Sequence, residues 1–169
     1  MSSRIVTRSP VNAMSASVPH HDTPAATVRH ARPEDLAAVE RLLERSSLPL
    51  EGVREALPSF VVAEAGGEVV GVAGLEACCD NALLRSVAVD DQWRSRGLGR
   101  ELVTRLIVEA EARGIHALYL LTTTAEHYFP SFGFHPIPRD QVPADVRDTD
   151  EFRSACPASA TVMTRALQP

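Results

Sequence analysis

The spacing of apolar positions changes along the chain, and each change marks a boundary between kinds of element. Residues 1–26 show no period. They are small and polar, with Pro10, Pro19 and Pro24 among several serines, the composition of a disordered tail. Met14 within it is a second candidate start, and His20-His21 reads as a solvated pair. Thr27 to Ala31 predicts a short strand that opens a single domain over residues 27–169. Pro33 suits a first helical turn, Glu34 and Asp35 suit its positive end, and Leu36, Val39, Leu42 and Leu43 share a helical face. A second short helix is expected from Leu50 to Leu57.

From Phe60 the pattern becomes that of strands. Phe60 to Glu64, Val69 to Ala77 and Leu83 to Val89 alternate or run apolar. Gly66-Gly67 and Asp80-Asn81 between them are turn signals. The three predict an antiparallel meander. The period then changes to that of a helix: Leu98, Leu102, Val103, Leu106, Ile107 and Ala110 recur on one face, and Gly114 stops it. Ala117 to Leu121 reads as a buried strand. Thr123 or Thr124 is expected to cap a short helix to about Phe132, ended by Gly133. Phe134 to Ile137 and Thr161 to Arg165 read as two closing strands. The charged, proline-punctuated stretch from Arg139 to Pro157 reads as a surface loop with a helical turn near Val146. The order is mixed α/β, an antiparallel half followed by strand–helix–strand units.

Charge narrows the partners. There are 22 acidic and 17 basic residues, a net charge of −5, so no polyanion is implied: neither nucleic acid nor an acidic membrane surface. All 17 basic residues are arginine. The lack of lysine removes Schiff-base chemistry, a lysine general base and the lysine of a Walker A loop. Three cysteines, two of them adjacent, give neither a disulfide framework nor zinc-ligand spacing, and no metal is expected. No apolar run reaches membrane-spanning length. Arg4 and Arg8 precede no apolar signal core, so the expected location is cytoplasmic.

The chemistry concentrates between Val87 and Arg100. A strand ends at Val89, and Arg94, Gly97 and Gly99 follow as R-x-x-G-x-G at a helix start. Glycines let backbone approach a ligand, and the first helical N–H groups are unpaired and positive. Arg94, Arg96 and Arg100 surround the same spot, an arrangement suited to pyrophosphate. A Rossmann fingerprint needs a preceding parallel strand, and a Walker A loop needs lysine. A plain glycine-rich helix entry with solvated arginines remains open on glycine spacing alone.

Val87-Ala88-Val89, two acidic residues, Gln92-Trp93-Arg94 and Arg96-Gly97-Leu98-Gly99 together resemble the acetyl-CoA signature of the GNAT superfamily. Phe132-Gly133-Phe134 resembles its second signature. The resemblance implies a GNAT fold: a central mixed, mostly antiparallel, twisted sheet of six to seven strands flanked by about four helices. It implies acetyl-CoA as co-substrate without metal. Its pantetheine arm would lie between the strand ending at Val89 and the strand starting at Ala117, paired with backbone of Val87 and Val89. The N–H of Val87 would donate to the acetyl oxygen. N–H groups of Arg94, Ser95, Arg96, Gly97, Leu98, Gly99 and Arg100 would hold the pyrophosphate, with Thr122 and Phe129 completing the cofactor's border. Many members place a tyrosine, as general acid, where Phe129 stands. Tyr128 is its neighbour, and adjacent helical residues point about 100° apart, so Tyr128 does not simply inherit that role.

On the acceptor side, direct transfer needs a neutral amine close to the acetyl carbon. Glu76 shares a strand face with Val72 and Gly74, and is the favoured base against the reading of an ordinary strand-end carboxylate. Gly74 would leave room for substrate there, or mark a β-bulge. Arg85, inside a strand, wants an anion: a substrate carboxylate or a neighbouring aspartate. With Ser86 and Thr123 it forms the candidate substrate set. A narrower resemblance rests on Gly74-Leu75-Glu76, Leu83-Leu84-Arg85-Ser86, Tyr119 to Glu126, Glu151-Phe152 and Cys156 to Ala160. These look like the arsenic-resistance N-acetyltransferase branch, and are similar to the acetyltransferase domain of N-acetylglutamate synthases. Both acetylate the α-amine of a glutamate-like amino acid, the former linked to arsinothricin- or phosphinothricin-like substrates. Cys156 has no neighbouring base and reads as a small hydrophobe. His116, His127 and His135 lack metal spacing. The partner implied is a small amine, with a homodimer left open. Two other classes stay in view: a non-catalytic acetyl-CoA-binding module, and a protein N-terminal acetyltransferase.

Overall fold

The computed structural model describes residues 24–155 and 157–168; Met14, His20, His21, Cys156 and most of the expected tail lie outside them. Seven strands form one mixed sheet: β1 (Thr27–His30), β2 (Phe60–Ala65), β3 (Glu68–Cys78), β4 (Asn81–Val89), β5 (Ala117–Thr122), β6 (His135–Pro136) and β7 (Thr161–Ala166). Their order across the sheet is β1-β2-β3-β4-β5-β7-β6. The first four pair antiparallel, as the meander predicts. β4 and β5 pair parallel, which requires a crossover, and α3 (Leu98–Ala112) makes it. β5, β7 and β6 return antiparallel.

The helices cover both faces. The expected apolar stripe of α3 is buried and packs on β2, β3, β4 and β5. Burying each of Leu102, Val103 and Leu106 contributes about 1.5–3 kcal/mol. An exposed i,i+4 pair such as Arg105–Glu109 contributes about 0.3–0.5 kcal/mol, so the apolar stripe decides how α3 docks. On the opposite face α1 (Leu36–Arg45) and the single turn α2 (Val53–Ala56) bury Val39, Leu42, Leu43 and Val53 against Phe60, Val62 and Val72. A fourth, single-turn helix, α4 (Ala144–Arg147), brings Val146 down beside Leu83 and Val162.

Three expectations need correction. The helix expected over residues 50–57 is only the turn α2, followed by a 3-10 turn over Leu57–Ser59, because Pro58 cannot donate within a continuing helix. The helix expected up to Phe132 is likewise a 3-10 turn, Phe129–Phe132, with Pro130 inside it. The strand expected from Phe134 to Ile137 shortens to the two residues of β6, again at a proline.

Candidate active site

The site begins where a ladder ends. β4 and β5 pair only at Asn81–Ala117, Ala82–Leu118 and Leu83–Tyr119. Both strands continue beyond that point, β4 to Val89 and β5 to Thr122, without pairing to each other. Backbone groups of β4 therefore face a gap, and a buried unpaired peptide group is costly unless something bonds it. A cavity of about 500 Å³ occupies this region. Arg85, Ser86 and Val87 line it from β4, and Leu121, Thr122 and Thr123 from β5 and the following turn.

A bulge aims the strand at the gap. Gly74 pairs with Arg85 and Val72 with Ala88, so Ser86 and Val87 together stand opposite Ala73. Ser86 takes φ +58°, a left-handed conformation that costs a non-glycine residue roughly 1–2 kcal/mol. The bulge lies on β4 and not at Gly74, the position the sequence suggested. Such extra residues re-aim backbone and side chains beside functional sites.

Next to the gap is the start of α3. Ser95 and Gly97 both have positive φ, +63° and +79°, and Glu101 N–H donates to the Gly97 carbonyl at 3.1 Å. The preceding first-turn N–H groups have no acceptor within the helix. The three arginines are exposed. Arg94 donates to the Val89 carbonyl at 3.2 Å and pairs with Asp91 at 3.1 Å. Arg96 lies over the Trp93 ring, and Arg100 over the Phe132 ring while bonding Ser131 Oγ. An anion at the helix start meets backbone donors and dipole first, with these cations around it.

The turn after β5 joins the two parts. Neither Thr123 nor Thr124 caps a helix, since the 3-10 turn Phe129–Phe132 has no side-chain cap; Thr122 instead closes the turn after β5, its Oγ1 accepting from the N–H of Ala125 at 2.9 Å and of Thr124 at 3.4 Å. Tyr128 and Phe129 both line the cavity, at the start of the 3-10 turn Phe129–Phe132. Phe129 is buried against Phe134, while Tyr128 is 39% exposed. The Tyr128 hydroxyl lies 3.1 Å from where a Cβ on Gly99 would be, so it spans from cavity to helix start. Partial burial raises its pKa, with the charge of Arg100 opposing, and the phenol keeps its proton at neutral pH.

Arg85 is where the structure adds most. Its side chain is fully buried, with Nη1 donating to Glu76 Oε2 at 2.9 Å and Nε 2.8 Å from Glu151 Oε2. Nη2 donates to the Glu51 carbonyl, and Nε also reaches Ser86 Oγ at 3.3 Å. The anion that Arg85 needs is thus supplied within the chain, by two glutamates. Glu76 shares the face of Gly74 and Val72, but it is held by Arg85 and does not line the cavity. It borders a separate depression with Gly52 and Glu55. Glu151 and Glu51 do line the cavity. Sequence reasoning missed both as site residues; the one signal was an arginine inside a strand, which demanded a partner without saying which.

Elsewhere, burial pushes the Cys78 thiol up to about 12, helped by the charge of Glu76, so it is not a nucleophile at neutral pH. Among the described residues no group of three or more His, Cys, Asp or Glu is placed to hold a metal ion. No described helix is long and apolar enough to cross a membrane.

The site is thus a mixed sheet opened between two parallel strands, beside a glycine turn at a helix start. A family model described as acetyltransferase (GNAT) domain matches residues 57–136. An amino-acid acetyltransferase from Pseudomonas fluorescens is 32% identical over 126 residues, covering 69% of this chain and 29% of that protein; the chain thus spans under a third of that relative's length. Among solved structures, Rv2747 from Mycobacterium tuberculosis, in complex with CoA and NLQ, is 27% identical with TM-score 0.72, covering 84% of this chain and 99% of that one. N-acetylglutamate synthase from Neisseria gonorrhoeae, complexed with coenzyme A and N-acetyl-glutamate, is 25% identical with TM-score 0.72, covering 86% and 36%. The chain carries a GNAT acetyltransferase domain over residues 57–136.

Proposed function

We propose that the protein is an acetyl-CoA-dependent N-acetyltransferase acting on the α-amine of a small amino acid by direct transfer in a ternary complex. The observation that carries this reading is the end of the β4–β5 ladder at Leu83–Tyr119 beside the bulge at Ser86 and Val87. The gap leaves β4 backbone ready to pair with an extended arm, as an added strand would, and the adjoining cavity has room for an acceptor. The relatives support it: one is an amino-acid acetyltransferase, and two were solved with coenzyme A.

Acetyl-CoA supplies a thioester whose carbonyl carbon the amine nitrogen attacks as the C–S bond breaks and the thiolate leaves. The chain's own residues do the rest. Val87 and Val89 hold the arm through backbone groups, and the Val87 N–H faces the acetyl oxygen as it gains charge. N–H groups of residues 94–100 hold the pyrophosphate, with Thr122 and Phe129 at the border. Ser86 and Thr123 orient the amine. Tyr128, protonated and at the cavity, is the side chain placed to donate to the leaving sulfur. The amine loses its proton to solvent or to a cavity carboxylate. Glu76 acts through Arg85 and not on the amine.

The test is thiol release from acetyl-CoA by the purified chain, with a panel of amino acids that includes glutamate, glutamine, phosphinothricin and arsinothricin. Amine-dependent release supports the reading. Acetyl-CoA binding without release with any amine would instead fit a sensor module, and release only with peptides would fit a protein N-terminal acetyltransferase.

A further inference from the structure

The cavity is lined in part by two segments that lie outside the sheet. Leu48, Pro49 and Glu51 come from the chain between α1 and α2, and Glu151, Pro157 and Ala160 from the chain leading into β7. An acceptor held between them meets the acetyl carbon only if both keep their distance from the bulge at Ser86 and Val87. One side chain reaches both. From β4, Arg85 Nη2 donates to the Glu51 carbonyl, and Nε lies 2.8 Å from Glu151 Oε2. Nη1 donates to Glu76 Oε2 on β3 at 2.9 Å, which fixes the plane of the guanidinium. The Arg85 side chain is 0% exposed, so these contacts are little screened by solvent. The residue after Glu51 leaves room for it: Gly52 has φ +76°, and a Cβ there would lie 3.0 Å from Nη1.

We infer that Arg85 is a positioning residue: by tying the segments at Glu51 and Glu151 to β4 beside the bulge, it sets where the acceptor amine stands relative to the acetyl carbon, and it is not the acceptor's own ligand. This rests on the acetyltransferase reading. All three guanidinium nitrogens have partners within the chain. A planar fork ties three points at once, which the single ammonium of a lysine does not. Misplacing a reacting group by about 1 Å costs up to about 10²-fold in rate, so the loss of such a brace is read in kcat. Loss of a direct substrate contact that is equally strong in the ground state is read in KM.

The experiment compares the wild-type protein with Arg85→Lys and with Gly52→Ala, using the best acceptor of the amino-acid panel. Gly52→Ala presses on the guanidinium from outside the cavity lining, and keeps the test open if Arg85→Lys does not fold. Calorimetry with acetyl-CoA counts the binding sites in each preparation, and kcat is expressed per site, so a loss of folded protein cancels. Acetyl-CoA affinity is expected to stay within about threefold of wild type, while kcat per site falls at least about tenfold in Arg85→Lys and at least about threefold in Gly52→Ala. A kcat per site that is unchanged overturns the inference; if KM alone rises, Arg85 is a substrate ligand. Acetyl-CoA affinity lost in parallel with turnover would make Arg85 a general fold residue, and overturns it too. Each of these leaves the acetyltransferase reading intact. Absence of turnover by the wild-type protein with every amine overturns both.

Discussion

The ring of Phe60 fills the space that a side chain on Gly74 would need: a Cβ there would lie 2.2 Å from the ring's Cε1. The two residues are paired across β2 and β3, and Phe60 is fully buried. The glycine thus serves core packing and does not leave room for substrate, as its place beside Glu76 suggested. Gly74→Ala forces the ring or a strand to move, at a cost of roughly 1–3 kcal/mol. That corresponds to a melting temperature lower by roughly 2–12 °C for a chain of this size. An unchanged melting temperature would mean the ring is not held there.

Gly97 presents the opposite case. A side chain there would meet nothing within 4 Å, but the backbone has φ +79° at the start of α3. Gly97→Glu leaves the fold in place at a backbone cost of roughly 1–2 kcal/mol, and sets a carboxylate where an anion is to bind. Acetyl-CoA affinity, read by calorimetry, is expected to fall by at least about tenfold, since like-charge contacts cost several kcal/mol. Gly97→Asn, which tolerates the same φ without a charge, should retain most of it. Equal affinity for all three proteins would remove this turn from the cofactor site.

Asp35 gives the protein a defined acid sensitivity. Its carboxylate accepts two bonds from Arg29, at 2.7 and 3.0 Å, and one from the Arg32 N–H at 2.7 Å. The Arg29 hydrogen bonds hold its pKa below the ordinary 3.8, against the opposing effect of burial. A depressed carboxylate stabilises the fold above its unfolded pKa and ceases to as pH falls through its folded one. Asp35→Asn is therefore expected to cost on the order of 1–3 kcal/mol at pH 7. The gap to wild type should close as pH falls below about 4, as measured by denaturant unfolding across pH. A gap that is constant with pH would assign the loss to shape and not to charge.

The elements legible in the sequence were those with a clean period. α3 repeats Leu98, Leu102, Val103 and Leu106 on one face, and β2 to β4 are bounded by glycine and aspartate turns, so both kinds were readable locally. From Thr122 to Ile137 the conformation depends on Pro130 and Pro136 and on the packing of Phe129, Phe132 and Phe134, and the helical pattern misled. The helix-start turn was readable because its glycines and arginines are contiguous. The acceptor side was not: Arg85, Glu76 and Glu151 come from β4, β3 and a π-helical segment over Glu151–Ala155. No local pattern announces that a strand arginine is closed by a distant glutamate.

Direct acetyl transfer to a small amino acid is read most directly in its product. Purified protein is incubated with acetyl-CoA and single amino acids, and the mixture is resolved by mass spectrometry. The expected product is an N-acetyl amino acid, modified at the α-nitrogen and formed in step with free coenzyme A. Acetyl-CoA that binds yet yields no acetylated amino acid would contradict it.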